Sequence, residues 1–496
     1  MSSGEQNTIL DMFISKRQIG LGGKLQLTAE TSLGTYIVVG GDMYTVTMSD
    51  LDLRAVKLSF TLPSAGLRVV NTFTYSIQHK LFRPCQIVKG YDTGIEQFGP
   101  AFVHGINNVP QNCSIAVGPQ STLVMTNSTI QIRKKCGDDV EEIYTQNSGG
   151  GAFWPPASNG YGSRPMFNHV VYDRFAGRFV IAQVRQLRLP DSFVFTASEV
   201  LFAVSKSSNP TLANEDWRKF SFAQSVPTDV PIPPDTESTN IDYMVLSYDA
   251  DSYYVGIVTE TILNHEETDK NTVYRIGKER PLIAVEVLTL ISPSSDNTSP
   301  YSRLVFPQML EEVNHIYVLY HLDNSPLIVY RISVSGIKKR TLPVILAQLG
   351  NGTAVCRDGS LWFSYEVSGS GVVWYEVNIK TLRVIQSQYI INSVSTLKVP
   401  SIMTDARGDM LLTMASVVND IWSLVYTFRR GDDVTGTTRD ISVIRQGSQR
   451  LEVPERLEQL AAWTSINGGT FHSHGAYSER TGNWKSTVFS LAMSDK

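Results

Sequence analysis

The chain has 496 residues, of which 42% are hydrophobic, 10% aromatic and 18% charged, with a formal net charge of −4 at pH 7. That length supports a large core and more than one domain, and the aromatic-rich, weakly charged composition indicates an ordered, strand-rich protein. A slightly acidic balance without clustered Lys and Arg excludes a nucleic-acid footprint, and no stretch approaches the apolar length of a membrane-spanning helix.

The N-terminus, Met1-Ser-Ser-Gly-Glu-Gln-Asn, carries no basic segment followed by an apolar one, so no secretory signal is expected. The expected setting is therefore intracellular or associated with a virion or assembly. Four cysteines are too few for a disulfide framework in so long a chain. Cys113 and Cys136 flank one predicted hairpin and are read as free buried thiols, with a pair as the alternative. The sequons at Asn112, Asn127, Asn297 and Asn351 arise as often by chance in an Asn- and Thr-rich chain.

Residues 1–95 form short alternating runs, at 25–28, 35–39, 44–48, 56–62 and 69–75, with Gly, Ser or Asp between them. This spacing predicts a small β module or anchor, preceded by a short helix over 8–15. From about residue 108 a different unit recurs: an apolar run, a tight acidic or glycine turn, and a second apolar or aromatic run. The clearest copies are 169–173 turning through Gly177 into 178–183, and 244–249 turning through Asp251 into 253–258. Others start near 112, 303, 354 and 401, and the last runs 462–466, turns at Gly468-Gly469 and ends at 484–491.

A single hairpin cannot bury its own apolar face, so a repeated one implies an array. About seven such units, each of three or four strands, predict an all-β fold: a β-propeller over 96–496, with a pair of β-sandwiches as the alternative. The insertions around 231–234 and 296–299 would fall on one face of the ring.

Val117-Gly118-Pro119, Val171-Tyr172-Asp173 with Gly177-Arg178-Phe179, and Pro400-Ser401-Ile402 with Asp405 and Gly408 occur together in this chain. So do 205–210 before Trp217, and Asp242-Tyr243 before Asp249, Asp251, Tyr253 and Tyr254. As a set they resemble the β-propeller modules of large, mostly bacterial, cell-surface and secreted proteins, over roughly 108–490. The resemblance implies a scaffold or adhesion role without common catalytic residues. The N-terminal extension and the missing signal depart from that pattern.

The sequence Arg357-Asp358-Gly359-Ser360-Leu361-Trp362 approaches a sialidase-type turn, but its Asp and Gly are adjacent. Arg164, Arg178, Arg185 and Asp242 are the candidates for a glycosidase channel, which needs two facing carboxylates. Asp173, Asp249, Asp358 and Asp405 sit where a hairpin turn favours Asp. His472 and His474 share a strand face and would need a third ligand to hold a metal. A calcium-stabilised turn at Asp249 and Asp251 is a further reading. The basic knot Lys338-Lys339-Arg340 reads as a solvated turn.

Two groups are contact candidates. Phe153, Trp154 and Tyr161 lie in a Gly- and Pro-rich loop, either exposed to a partner or folded under the ring. Arg430, Gly431 and Asp432 spell a receptor-type tripeptide after a predicted strand. The leading expectation is a non-catalytic propeller without enzymatic activity, cofactor or metal. It would be an adhesion or assembly protein of a virion or cell surface, with other proteins or a surface receptor as partners and no membrane insertion. The alternative is a carbohydrate-active propeller, a lectin or a sialidase-like glycosidase, with a glycan as partner.

Overall fold

In a computed structural model the described residues run from 111 to 492, apart from 127–128, 137–139, 148–152, 156–161, 189–194, 223–237, 264–265, 279–284, 290–302, 322–325, 346–348, 368–370, 449, 451–456, 460, 465–469 and 481–482. Strand 86–98 and short strands between 8 and 77 are described as well. The chain divides into two compact units, 1–86 with 493–496, and 87–492.

In the first unit Gln26–Glu30, Gly34–Val39 and Asp42–Val46 form an antiparallel sheet. Thr8–Ile9 is a strand paired with Ser59–Phe60, which replaces the start of the predicted helix; residues 10–15 lie outside the described residues.

The second unit is a β-propeller arrangement of antiparallel meanders, numbered here in chain order. Sheet 1 is Ser114–Val117, Ser121–Met125, Thr129–Cys136 and Val140–Asn147. Sheet 2 is Gly162–Asp173, Arg178–Arg188, Phe195–Ser205 and Trp217–Phe222. Sheet 3 is Ser238–Tyr248, Ser252–Leu263, Glu266–Gly277 and Val285–Thr289. Sheet 4 is Arg303–Val305, His315–His321, Pro326–Ser333 and Gly336–Ile345. Sheet 5 is Leu349–Arg357, Ser360–Val367, Gly371–Asn378 and Arg383–Ile390, with Gln308–Met309 added parallel to its first strand. Sheet 6 is Thr396–Thr404, Met410–Val418, Ile421–Arg429 and Ser442–Arg445.

These six are self-contained. The remaining sheet is composite: Ala461–Thr464, Thr470–Arg480 and Asn483–Ala492 take their fourth strand, Gln86–Phe98, from the other end of the unit. The sequence reading of about seven contiguous units therefore over-counts by one, because the last unit is completed by a strand assigned to the N-terminal module.

First strands of successive sheets pack side by side, and Ala461–Thr464 returns to Ser114–Val117, so the series closes on itself. Each sheet is covered on both faces by its neighbours, which explains runs such as Met410–Ala415 that are buried at every position rather than at alternate ones. Burying one such Leu or Phe contributes about 1.5–3 kcal/mol. Turn chemistry follows the sequence locally. Asn419 and Asp420, at φ +50° and +61°, link two strands in the left-handed two-residue turn that suits sheet twist.

Neighbouring sheets are also joined by hydroxyl groups that satisfy backbone donors or acceptors. Val170 N–H donates to Ser114 Oγ at 2.9 Å, Ile402 N–H to Thr353 Oγ1 at 2.8 Å, and Trp422 N–H to Ser478 Oγ at 3.0 Å. At the composite sheet, the buried His474 donates Nδ1–H to Ser114 O at 3.0 Å. Its partner across two residues, His472, bonds Ser490 Oγ instead at 2.8 Å.

Candidate functional site at the bulged end of the ring

Because each meander alternates direction, its first-to-second and third-to-fourth turns lie at one end of the ring. Its second-to-third loops and the links to the next sheet lie at the other. The two ends differ in chemistry.

At the turn end, Asp173, Asp249 and Asp405 build the hairpins. Asp173 Oδ1 accepts Phe175 N–H and Ala176 N–H, Asp249 Oδ1 accepts Asp251 N–H and Ser252 N–H, and Asp405 Oδ1 accepts Arg407 N–H and Asp409 N–H. Asp249 Oδ2 takes the Tyr254 hydroxyl at 2.8 Å, so each of its oxygens has a protein donor. Asp358 is different: it adopts φ +51° in an exposed turn completed by Gly359 at φ +71°.

Lys278 of sheet 3 reaches Asp173 of sheet 2 at 2.6 Å and lies beside the rings of Phe175, Tyr248 and Tyr253. Burial pulls its amine below the usual range, and Asp173 pushes it back up. Arg430, Gly431 and Asp432 are also at this end. Their turn is fixed by Arg430 N–H to Asp433 Oδ2 at 2.9 Å, Gly431 N–H to Asp409 Oδ1 at 2.7 Å and the Arg439–Asp433 ion pair, and Asp432 faces solvent.

The opposite end is where the first strands begin, and in sheets 2, 3, 5 and 6 those strands are irregular at the same height. Register shifts fall at Pro165/Asn168, Ile241/Tyr243, Leu349/Gly352 and Lys398/Ser401. A bulge bends the strand and re-aims the side chains next to it. Here the sequence supplies the means: a proline in sheet 2, Gly350 and Gly352 in sheet 5, and Val399 at φ +50° before Pro400 in sheet 6.

Aromatic groups converge there. Phe167 meets Tyr243 edge-on, with ring centroids 6.4 Å apart. Tyr365, on the second strand of sheet 5, passes over Gly352 so closely that a Cβ at that position would lie 2.4 Å from its ring. Its hydroxyl is buried without a hydrogen-bond partner among the described residues. Burial, with a smaller contribution from the Tyr243 oxygen, raises its pKa.

His169 follows directly on the bulge of sheet 2, next to Asn168; burial lowers its pKa to about 4, so the imidazole is neutral at pH 7. Glu366, beside Tyr365, accepts Val399 N–H at 3.1 Å, which ties its carboxylate to the bulge of sheet 6. Phe167 and Tyr365 are buried, and Tyr243 and His169 are half-buried, so the groups presented here are a phenol and a neutral imidazole. Such groups bind a polar, uncharged surface rather than a strongly charged one.

The residues singled out from sequence distribute unevenly over this frame. Asp242 is placed at the bulged end by its backbone, and Arg164 begins the same strand as His169; their side chains lie outside the described residues. Arg178 is at the turn end. Arg185 is not a channel residue: it is buried against Glu199 of the next strand and Pro155 O.

Phe153 and Trp154, read as contact candidates, are each 1% exposed and form part of the core. The Trp154 indole donates to Gln183 Oε1 at 2.7 Å, and Phe153 packs edge-on against Trp217 with Lys219 3.7 Å above its ring. These contacts with sheet 2 hold both side chains inside. Tyr161 lies outside the described residues. Cys113 is a free buried thiol. Tyr243 and His169 enter the sequence reading only as parts of hairpin motifs and Tyr365 only within a strand, none as a site residue; the Gly350–Gly352 pair within a strand was the available signal.

No family model matches the sequence, and the search of curated proteins returns no match. Similar solved structures include a Trypanosoma rangeli sialidase in complex with the inhibitor DANA, at 13% identity and TM-score 0.36 over 66% of this chain and 56% of that one. This chain thus matches little more than half of the sialidase. A protein of unknown function from Dyadobacter fermentans matches at 9% identity and TM-score 0.43, over 66% and 94% of the two chains. A Penicillium chrysogenum α-L-arabinanase complexed with arabinobiose matches at 9% identity and TM-score 0.39, over 77% and 93%. Enzymes therefore stand among the structures that share this chain's type of fold. The expectation of no enzymatic activity, which rested on missing sequence motifs, is withdrawn on that finding.

Proposed function

We propose that this protein is an interaction component, acting in adhesion or assembly through the bulged end of its ring, as part of a virion, cell surface or other large complex. The observation that carries the reading is the coincidence of four strand bulges with the end of the ring at which successive sheets are linked, sheets 1 to 4 and sheet 6 to the composite sheet by long stretches of sequence. Long loops on a rigid scaffold are where binding surfaces are built. In this reading the composite sheet closes the ring after the six self-contained meanders, and the N-terminal module serves as the anchor. The resemblance to propeller modules of cell-surface and secreted proteins supports the same role. Partners would be other proteins of the assembly or a surface receptor, with Arg430 and Asp432 as a separate contact at the turn end.

Cross-linking of the full chain in its native assembly tests this. Cross-links to a partner are expected from the loops of the bulged end. A chain whose cross-links all arise from the turn end or the outer rim would refute it.

A second reading is favoured by Tyr243 and His169, both half-buried at the bulged end. A phenol and an imidazole suit a sugar ring, so the site would take a glycan, with or without cleavage. A glycan array and a fluorogenic glycoside panel separate the two. Signal lost in Tyr243→Ala supports the glycan reading, and silence on both removes it.

A further inference from the structure

The exposed large apolar side chains of the described residues are concentrated on sheets 5 and 6 and the turns and links of these sheets. Besides Ile143, Val334 and Ile337, all of them fall between 384 and 443. The densest run is the outer strand of sheet 5, with Val384 at 41%, Ile385 at 47% and Tyr389 at 42% exposed.

Register shows which way this strand faces. Tyr389 pairs with Val373, Ser387 with Tyr375, and Val384 with Val377. Cross-strand partners share a face. Val373, Tyr375 and Val377 pack with Leu342 and Val344 of sheet 4, so Val384, Ser387 and Tyr389 face the same way, toward sheet 4. The opposite face is closed: Gln386 bonds Glu376 and accepts Gly436 N–H from the long loop of sheet 6, and Trp374 bonds Gln388.

The facing wall comes from the outer strand of sheet 4. Arg340 and Lys338 share the face of Leu342 by alternation, and Arg340 confirms the direction by donating to Lys380 O of sheet 5 at 2.9 Å. Lys338, Lys339 and Arg340 are all exposed, and among the described residues none is in an ion pair with a carboxylate.

Between the outer strands of sheets 4 and 5 there is thus a rim groove with an apolar wall, Val384 and Tyr389, and a basic wall, Lys338 and Arg340. Both walls are edge strands with backbone groups available for pairing. We infer that this groove docks an extended segment of another protein in which acidic residues alternate with apolar ones. The alternation of a strand places its apolar side chains on the sheet 5 wall and its carboxylates on the sheet 4 wall, while its backbone pairs with an edge. The groove lies between the outermost strands of sheets 4 and 5, whereas the bulges lie in the first strands, so the inference stands apart from the proposed function.

The test measures fluorescence anisotropy of the full chain with a short labelled peptide alternating Glu with Leu and Phe. Companion peptides carry Lys in place of Glu, or Ser in place of the apolar residues. Binding of the first peptide alone is expected, weakening with salt. Tyr389→Ser and Lys338→Glu should each reduce affinity tenfold or more, while Val418→Ser, exposed on sheet 6, should leave it unchanged. Circular dichroism melts confirm that each variant is folded. No binding, equal binding of the Lys peptide, or affinity unmoved in folded Tyr389→Ser and Lys338→Glu would overturn the inference. So would binding only to phosphatidylserine vesicles, which would assign the basic wall to a lipid surface.

Discussion

Gly352 shows how a single side chain, or its absence, sets the geometry of the bulged end. A methyl group there would lie 2.4 Å from the Tyr365 ring and 2.5 Å from Ser364 O. The backbone oxygen cannot swing away, so Gly352→Ala is expected to destabilise the fold by about 1–3 kcal/mol, read from denaturant melts. His474 gives a second prediction at this scale. Burial holds its pKa at about 4, below the ordinary 6.5, so the folded protein keeps it neutral where the unfolded chain protonates it. Its contribution to stability is therefore full above pH 6.5 and is lost as pH falls from 6.5 toward 4. His474→Gln, which keeps a donor for Ser114 O, should flatten that part of the stability profile in melts taken across this range. An unchanged slope would show that His474 is not the titrating group.

Between neighbouring elements, the Lys278–Asp173 pair joins sheets 2 and 3 with its lysine almost enclosed by aromatic rings. Removing one partner leaves a buried charge, so Lys278→Met should cost about 3–5 kcal/mol. The double variant with Asp173→Asn should cost clearly less than the sum of the single changes, because Asn keeps the turn acceptor without the charge. Additive losses would mean that the two side chains do not interact. The turn aspartates were legible in sequence because Asp at a hairpin corner acts locally, through its own backbone neighbours. The pairing of Asp173 with Lys278 was not, since it depends on how two sheets meet. Phe153 and Trp154 illustrate the same limit: composition marked a loop, but Gln183 and Trp217, far along the chain, decide that it is buried.

For the molecule as a whole, the repeat of hairpins and their antiparallel order could be read directly from alternating apolar runs and Gly or Asp turns. The composite sheet could not, because strand 86–98 resembles the alternating runs that precede it and nothing local assigns it to the C-terminal meander. The bulges escaped for a related reason, since register is a property of two strands rather than one. Chains beginning at residue 86 and at residue 99 should differ sharply. The shorter one leaves Asn483–Ala492 as an open edge, and should melt at lower temperature and with less cooperativity by calorimetry. Equal melting of the two would show that strand 86–98 is not part of the closed ring.

That closure also orders events during synthesis. Gln86–Phe98 leaves the ribosome long before Asn483–Ala492 exists, so its hydrogen-bonding groups wait unmatched while every intervening meander is made. The nascent protein is therefore an arc with two sticky ends until Asn483–Ala492 has been made. Rapid release or chaperone cover at that stage, rather than the strength of any one sheet, would govern whether the circle joins to itself or to a neighbouring chain.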